Sequence, residues 1–147
     1  MKLRRAPATL AALDAFEGDL VCVTLFEDER PLRGAAGLCD WRTAGWLTEA
    51  LRAGRLAGAA GEAVLFPPWP PGRRLRARAI AAVGLGARAR FDAAALAAGC
   101  AHLARLAAGF GALRLCTQVP PFPDAADALA SALAAALPDD ASCLLLE

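Results

Sequence analysis

Arg76-Ala-Arg-Ala-Ile-Ala-Ala-Val-Gly-Leu-Gly86 decides the fold, because an alternating and then continuously apolar run stops at paired glycines. It reads as a strand over residues 76–83 that becomes buried toward its end. Asp92 then caps a helix, and Leu96, Cys100, Leu103, Ala107 and Phe110 recur at spacings of four, three, four and three. That spacing gives one continuous apolar stripe. A further apolar run at 113–119 completes a strand, helix, strand unit, whose two strands run parallel through a right-handed crossover.

Toward the N-terminus, Asp19-Leu-Val-Cys-Val-Thr-Leu-Phe26 is another buried strand, ended by the acidic turn Glu27-Asp28-Glu29 before Pro31. Residues 30–39 read as a loop, after which Asp40 caps a helix carrying Ala44, Leu47 and Leu51 until Gly54 stops it. Residues 62–66 form a strand. Pro67-Pro-Trp-Pro-Pro-Gly72 forces an irregular loop, since proline lacks the donor a ladder needs, and the direct link makes strands 62–66 and 76–83 antiparallel. Toward the C-terminus, Pro120-Pro-Phe-Pro123 ends a strand, and Asp124 opens a helix that stacks Leu129, Leu133 and Leu137 before Pro138. Residues 142–146 are the last strand. The alternation predicts α/β layers around a mixed, mostly parallel sheet. Ligands in such sheets sit beyond carboxyl strand ends, where residues 84–86, residues 120–123 and the C-terminus should meet.

The 147 residues are 57% hydrophobic and 21% charged, with a formal charge of +1. This is material for one packed domain over residues 1–147, and it excludes both disorder and a strong overall field toward nucleic acid or an anionic membrane. Lys2, Arg4 and Arg5 imitate the start of an export signal, but Pro7 and Asp14 break the stretch behind them. No uncharged run approaches the roughly 20 residues that cross a bilayer. Cys22, Cys39, Cys100, Cys116 and Cys143 are scattered and form no Cys-x-x-Cys pair, so they read as buried hydrophobes of a reducing cytoplasm. Neither a metal nor a cofactor is expected, because Asp and Glu show no ligand spacing and His102 falls on the polar side of its helix near Arg105.

Three groups of residues are functional candidates. Gly84, Leu85 and Gly86 form a candidate phosphate or nucleotide loop, although the third glycine and downstream acid of a dinucleotide fingerprint are missing; the alternative is a tight strand-to-helix turn. Arg73, Arg74, Arg76, Arg78, Arg88 and Arg90 crowd an interval without an acid. Of these, Arg74, Arg76 and Arg78 share parity, making a candidate anion patch for a nucleic-acid backbone or an acidic protein surface. The alternative is a solvated strand end whose arginines pair with acids elsewhere. Trp46 projects away from the Ala44 and Leu47 face, and Trp69 and Phe122 sit in proline-rich loops. All three are candidate partner-binding anchors, unless each folds back onto its own domain.

In order, Asp19 to Phe26, Leu38-Cys-Asp40 with Gly45 and Leu47, Gly54-Arg-Leu56-Ala-Gly58 with Gly61-Glu62, and Val83-Gly-Leu-Gly86 resemble the N-terminal domain of the leucyl (cytosol) aminopeptidase family. The resemblance covers residues 19–110 and implies a three-layer α/β/α macro-like domain. In those enzymes the two-metal site belongs to a C-terminal domain with a signature like Asn-Thr-Asp-Ala-Glu-Gly-Arg-Leu, which this sequence does not contain, so no catalytic or metal residue carries over. What the resemblance implies is a non-catalytic assembly or regulatory role, as a homo-oligomer or docked onto a partner protein. Three alternatives accompany it: a macro-like ADP-ribose or nucleotide domain, a nucleic-acid module using the arginine interval, and a fragment of a two-metal leucyl aminopeptidase.

Overall fold

In the computed structural model, which describes residues 1–66 and 75–147, strands β2 (Glu17–Leu25) and β4 (Arg76–Gly84) lie side by side in parallel. Leu20, Cys22, Ala79, Ala81 and Val83 face one layer, while Val21, Val23, Ile80 and Ala82 face the other. Burial on both faces is why these sequences run apolar instead of alternating. β5 (Arg114–Gln118) flanks β2 on its other side, followed by β6 (Ser142–Leu146) and β1 (Lys2–Ala6). The short β3 (Ala63–Phe66) closes the opposite end, antiparallel to β4. The order β1-β6-β5-β2-β4-β3 gives the mixed, mostly parallel sheet the sequence predicts.

Helices α4 (Ala93–Phe110) and α5 (Ala125–Ala136) cover the first face, with Leu103, Leu129 and Leu133 buried against the sheet. Helices α1 (Leu10–Ala15), α2 (Gly34–Arg42) and α3 (Trp46–Arg52) cover the second, making three α/β/α layers. By length and composition α4 is apolar enough to cross a membrane. Here it is a core helix: Leu96, Cys100, Leu103, Ala104 and Ala107 are buried in the domain.

Several boundaries differ from the sequence reading. The reading has no element before residue 19, yet β1 and α1 precede β2; β1 is held by parallel pairing to β6, and α1 is capped by Thr9 Oγ1 on the Ala12 amide. The expected loop at 30–39 contains most of α2, and the single helix from Asp40 is two. Ala44 (φ 55) and Gly45 (φ 87) turn the chain between α2 and α3 through left-handed backbone. Asp40 does cap, but eight residues on: its carboxylate accepts the Thr48 amide at 2.9 Å and the Thr48 hydroxyl at 2.6 Å. Asp124 occupies the N-cap position of α5 in a left-handed conformation and makes no side-chain cap. The proline-rich loop with Trp69, together with Arg73 and Arg74, lies outside the described residues.

Candidate functional site

The connection leaving β2 runs toward β3 over one face, whereas that leaving β5 runs toward β6 over the other. Adjacent strands with diverging connections leave a crevice at their carboxyl ends. A cleft of about 560 Å³ opens there, bordered by Gly34, Gln118, Pro120, Phe122, Asp124 and Glu147. Residues 120–123 and the C-terminus therefore meet as the connectivity implies.

Gln118, the last residue of β5, organises this edge. Its Oε1 accepts the Ala36 amide at 3.1 Å, capping α2, whose own N-cap residue Arg33 makes no side-chain bond. Gly34 has φ +55, and a Cβ there would stand 2.9 Å from Gln118 Nε2, so glycine suits this turn on two counts. At the start of α5 the chemistry is unhelpful to an anion. Pro120, Pro121 and Pro123 have no N–H, and Asp124, Asp127 and Glu147 supply carboxylates to the mouth. Arg5 neutralises part of this charge, meeting Asp127 at 2.6 Å and Glu147 at 3.4 Å.

The neighbouring glycine turn is closed from within. Gly84 N–H donates to Glu62 O at 2.8 Å, Leu85 N–H to Leu25 O at 2.9 Å and Gly86 N–H to Gly58 O at 2.9 Å. The three amides of the candidate phosphate loop thus have partners inside the fold, and Leu85 is buried. A Cβ on Gly84 would collide with Ala59 O, which shows how closely residues 58–59 clasp this turn. An aromatic row fills the adjoining space. Arg88 lies 4.4 Å over the Phe26 ring, Phe26 meets Phe91 edge-on at 5.1 Å, and Phe91 meets Phe122 at 5.6 Å. Phe122 therefore packs back onto the domain.

The described arginines of the basic interval are partnered. Arg76 faces Glu17 at 3.8 Å, Arg78 faces Asp19 at 3.6 Å, Arg88 bonds Glu29 at 2.9 Å and Arg90 lies 3.8 Å from Glu27. Arg76 and Arg78 are both exposed, as shared parity requires. Trp46, expected on the outside, is half-buried and lines a groove between α3 and β3 with Val64, Leu65 and Phe66. The aromatic that stands out is its neighbour on α2: Trp41 is 73% exposed. A helical wheel drawn for one continuous helix misses it, because the break at Ala44 and Gly45 resets the faces.

All five cysteines are buried free thiols. Burial pushes Cys116 and Cys143 up to about 12, and raises Cys22, Cys39 and Cys100 as well, so none is a nucleophile near neutrality. His102 is half-buried beside Arg105 in a small pocket, with Nε2 closed off and without a hydrogen-bond partner among the described residues. No group of three His, Cys, Asp or Glu that could hold a metal occurs among the described residues.

The sequence matches the family described as the cytosol aminopeptidase family, N-terminal domain, over residues 21–139. No curated protein matches it. Among solved structures, a mutant of tomato leucine aminopeptidase superposes with TM-score 0.71 at 16% identity, covering 100% of this chain and 32% of that one. This chain thus spans about a third of the tomato enzyme. The macrodomain of Mycobacterium tuberculosis DarG gives TM-score 0.72 at 15% identity, covering 99% and 97%. A Trypanosoma brucei macrodomain, solved in complex with ADP-ribose, gives 0.64 at 18%, covering 98% and 63%. The shared property is the macro-like α/β/α fold.

Proposed function

Because the chain belongs to the cytosol aminopeptidase family as its N-terminal domain, we propose that it is a non-catalytic assembly or regulatory module, acting by self-association or by docking onto a partner protein. The observation that carries this reading is Trp41, 73% exposed on α2. An indole in water is costly to leave uncovered, and such aromatics are preferred anchors of protein interfaces. The groove formed by half-buried Trp46 with Leu65, itself 49% exposed, adds apolar surface at the same layer.

Static light scattering of the purified chain and of Trp41→Asp, at low and high salt, tests it. The expected result is a defined assembly stable to salt that Trp41→Asp reduces to a smaller species with unchanged circular dichroism. A monomeric wild type removes self-association and leaves docking. Robust metal-dependent hydrolysis of aminoacyl substrates by the purified chain overturns the reading.

A further inference from the structure

The two edges of the sheet are chemically unlike. β3 is uncharged, whereas β1 reads Lys2-Leu-Arg-Arg-Ala6. Parallel pairing aligns Lys2 with Ser142 and Ser142 with Arg114, so these three side chains stand in one row across β1, β6 and β5. Arg4 lies two residues along, in the row of Leu144 and Cys116. Because α1 has only six residues, it leaves this end of the sheet face open. The result is a groove of about 440 Å³ with Ala6, Phe16 and Leu144 on its apolar floor and Lys2, Arg4 and Arg114 on its rim.

Lys2 and Arg4 make no ion pair among the described residues, whereas the charge of Arg114 is offset in part by Asp19 beside it on β2. Glu17, the acid lining the groove, already faces Arg76 at 3.8 Å. Arg5, pointing to the opposite face, is neutralised by Asp127 and Glu147. Uncompensated positive charge is therefore confined to one side of the edge strand. The strand also offers backbone groups. Lys2 N–H donates to Ala141 O and Ala6 O accepts from Glu147 N–H, so the even-numbered residues of β1 bond inward to β6. The N–H and C=O groups of Leu3 and Arg5 consequently face outward.

We propose that the β1 edge and its groove receive an extended segment of a partner protein with acidic residues at alternate positions, added as a further strand. Alternate side chains of a strand lie about 6.6 Å apart on one face, the same spacing that separates Lys2 from Arg4. An acid, any residue, acid pattern therefore places a carboxylate opposite each cation, while the intervening side chains fall on the face where Arg5 is already satisfied. Main-chain bonds to Leu3 and Arg5 would supply affinity, and the charges would set register and direction. The same lysine and arginines repel a second copy of β1, so the edge disfavours self-pairing. The inference rests on the protein-docking reading and names a surface for it distinct from Trp41.

The test is fluorescence anisotropy of the whole chain with an acetylated, labelled hexapeptide alternating glutamate and threonine. Saturable binding is expected that weakens as salt rises from about 50 to 300 mM. Lys2→Glu with Arg4→Glu should cost at least about tenfold in affinity, and Arg114→Gln a smaller factor. Lys2→Gln with Arg4→Gln gives a milder version should the double reversal disturb folding. Amide exchange at Leu3 and Arg5 should slow in the complex. No binding, equal binding of a peptide with its three glutamates contiguous, or preference for a short DNA duplex over the peptide each overturns the proposal. Trp41→Asp should leave peptide affinity unchanged. Failure of the peptide with intact Trp41-dependent assembly would sink this inference alone, whereas hydrolytic activity would sink the docking reading.

Discussion

Asp19 ties three strands together through one carboxylate. It projects from β2, accepts the amides of Leu113 at 3.0 Å and Arg114 at 2.8 Å at the start of β5, and faces Arg78 of β4 at 3.6 Å. Burial alone would raise its pKa, but the amide bonds from Arg114 and Leu113 and the charges of Arg114 and Arg78 outweigh it and hold the group below its ordinary 3.8. A carboxyl lowered on folding stabilises the protein above its unfolded pKa, and that contribution disappears as pH falls through the folded value. Asp19→Ala should therefore cost about 2 kcal/mol at pH 7, the scale of hydrogen bonds to a charged acceptor that leave amides unpaired. Urea unfolding at pH 7 and at successive values below 4 checks this. The gap between wild type and variant should narrow as pH drops below the ordinary carboxyl range, and a gap independent of pH would refute the ionic origin.

At the scale of elements, the helix starts show what one sequence reveals and what it hides. Asp92 caps α4 through the Ala95 amide at 2.9 Å, a local contact that the reading could anticipate. The cap of α2 is not local, since Gln118 lies 82 positions from Ala36 and reaches it only because β5 and β2 are neighbours in the sheet. Gln118→Ala should uncap α2 and lower stability by about 1 kcal/mol, with Gln118→Glu retaining much of it because a carboxylate also accepts at a helix N-terminus. Thermal unfolding of both variants measures the difference; equal loss in the two would mean that packing, not capping, is what Gln118 provides. The same distinction explains the other departures. The apolar runs of β2 and β4 were legible because burial on both faces dictates composition, and their ends moved by only a residue or two. β1 was illegible because four of its five residues are exposed and its place comes from β6, 140 positions away in register. Asp40 reads as a capping residue in the sequence, but its partner Thr48 belongs to a helix whose start is set by the turn at Ala44 and Gly45.

At the scale of the whole molecule, the fold shared with a Trypanosoma brucei macrodomain solved in complex with ADP-ribose leaves open what this chain's own carboxyl edge can hold, and its residues answer that. Phosphate recognition at such an edge depends on free amides at a helix start. Here the α5 entry contains three prolines, the Ala36 amide at α2 is taken by Gln118, and the amides of Gly84, Leu85 and Gly86 bond within the fold. Asp124, Asp127 and Glu147 oppose a second negative charge, and Phe26, Phe91 and Phe122 pack edge to face beside the cleft. A ligand present at 100 times its Kd adds about 2.7 kcal/mol to stability. For a chain of this size that is a rise in Tm of about 5 to 10 °C. Millimolar ADP-ribose is therefore expected to leave the melting temperature unchanged within about 1 °C, far below the shift of a saturated site. Asp127→Asn with Glu147→Gln removes two carboxylates while keeping their shape, and separates the two obstacles. If charge alone excludes the ligand, this double variant should gain a shift. If missing and occupied amides decide the matter, it should stay flat, and a shift of several degrees in the wild type would show that the cleft binds nucleotide despite both.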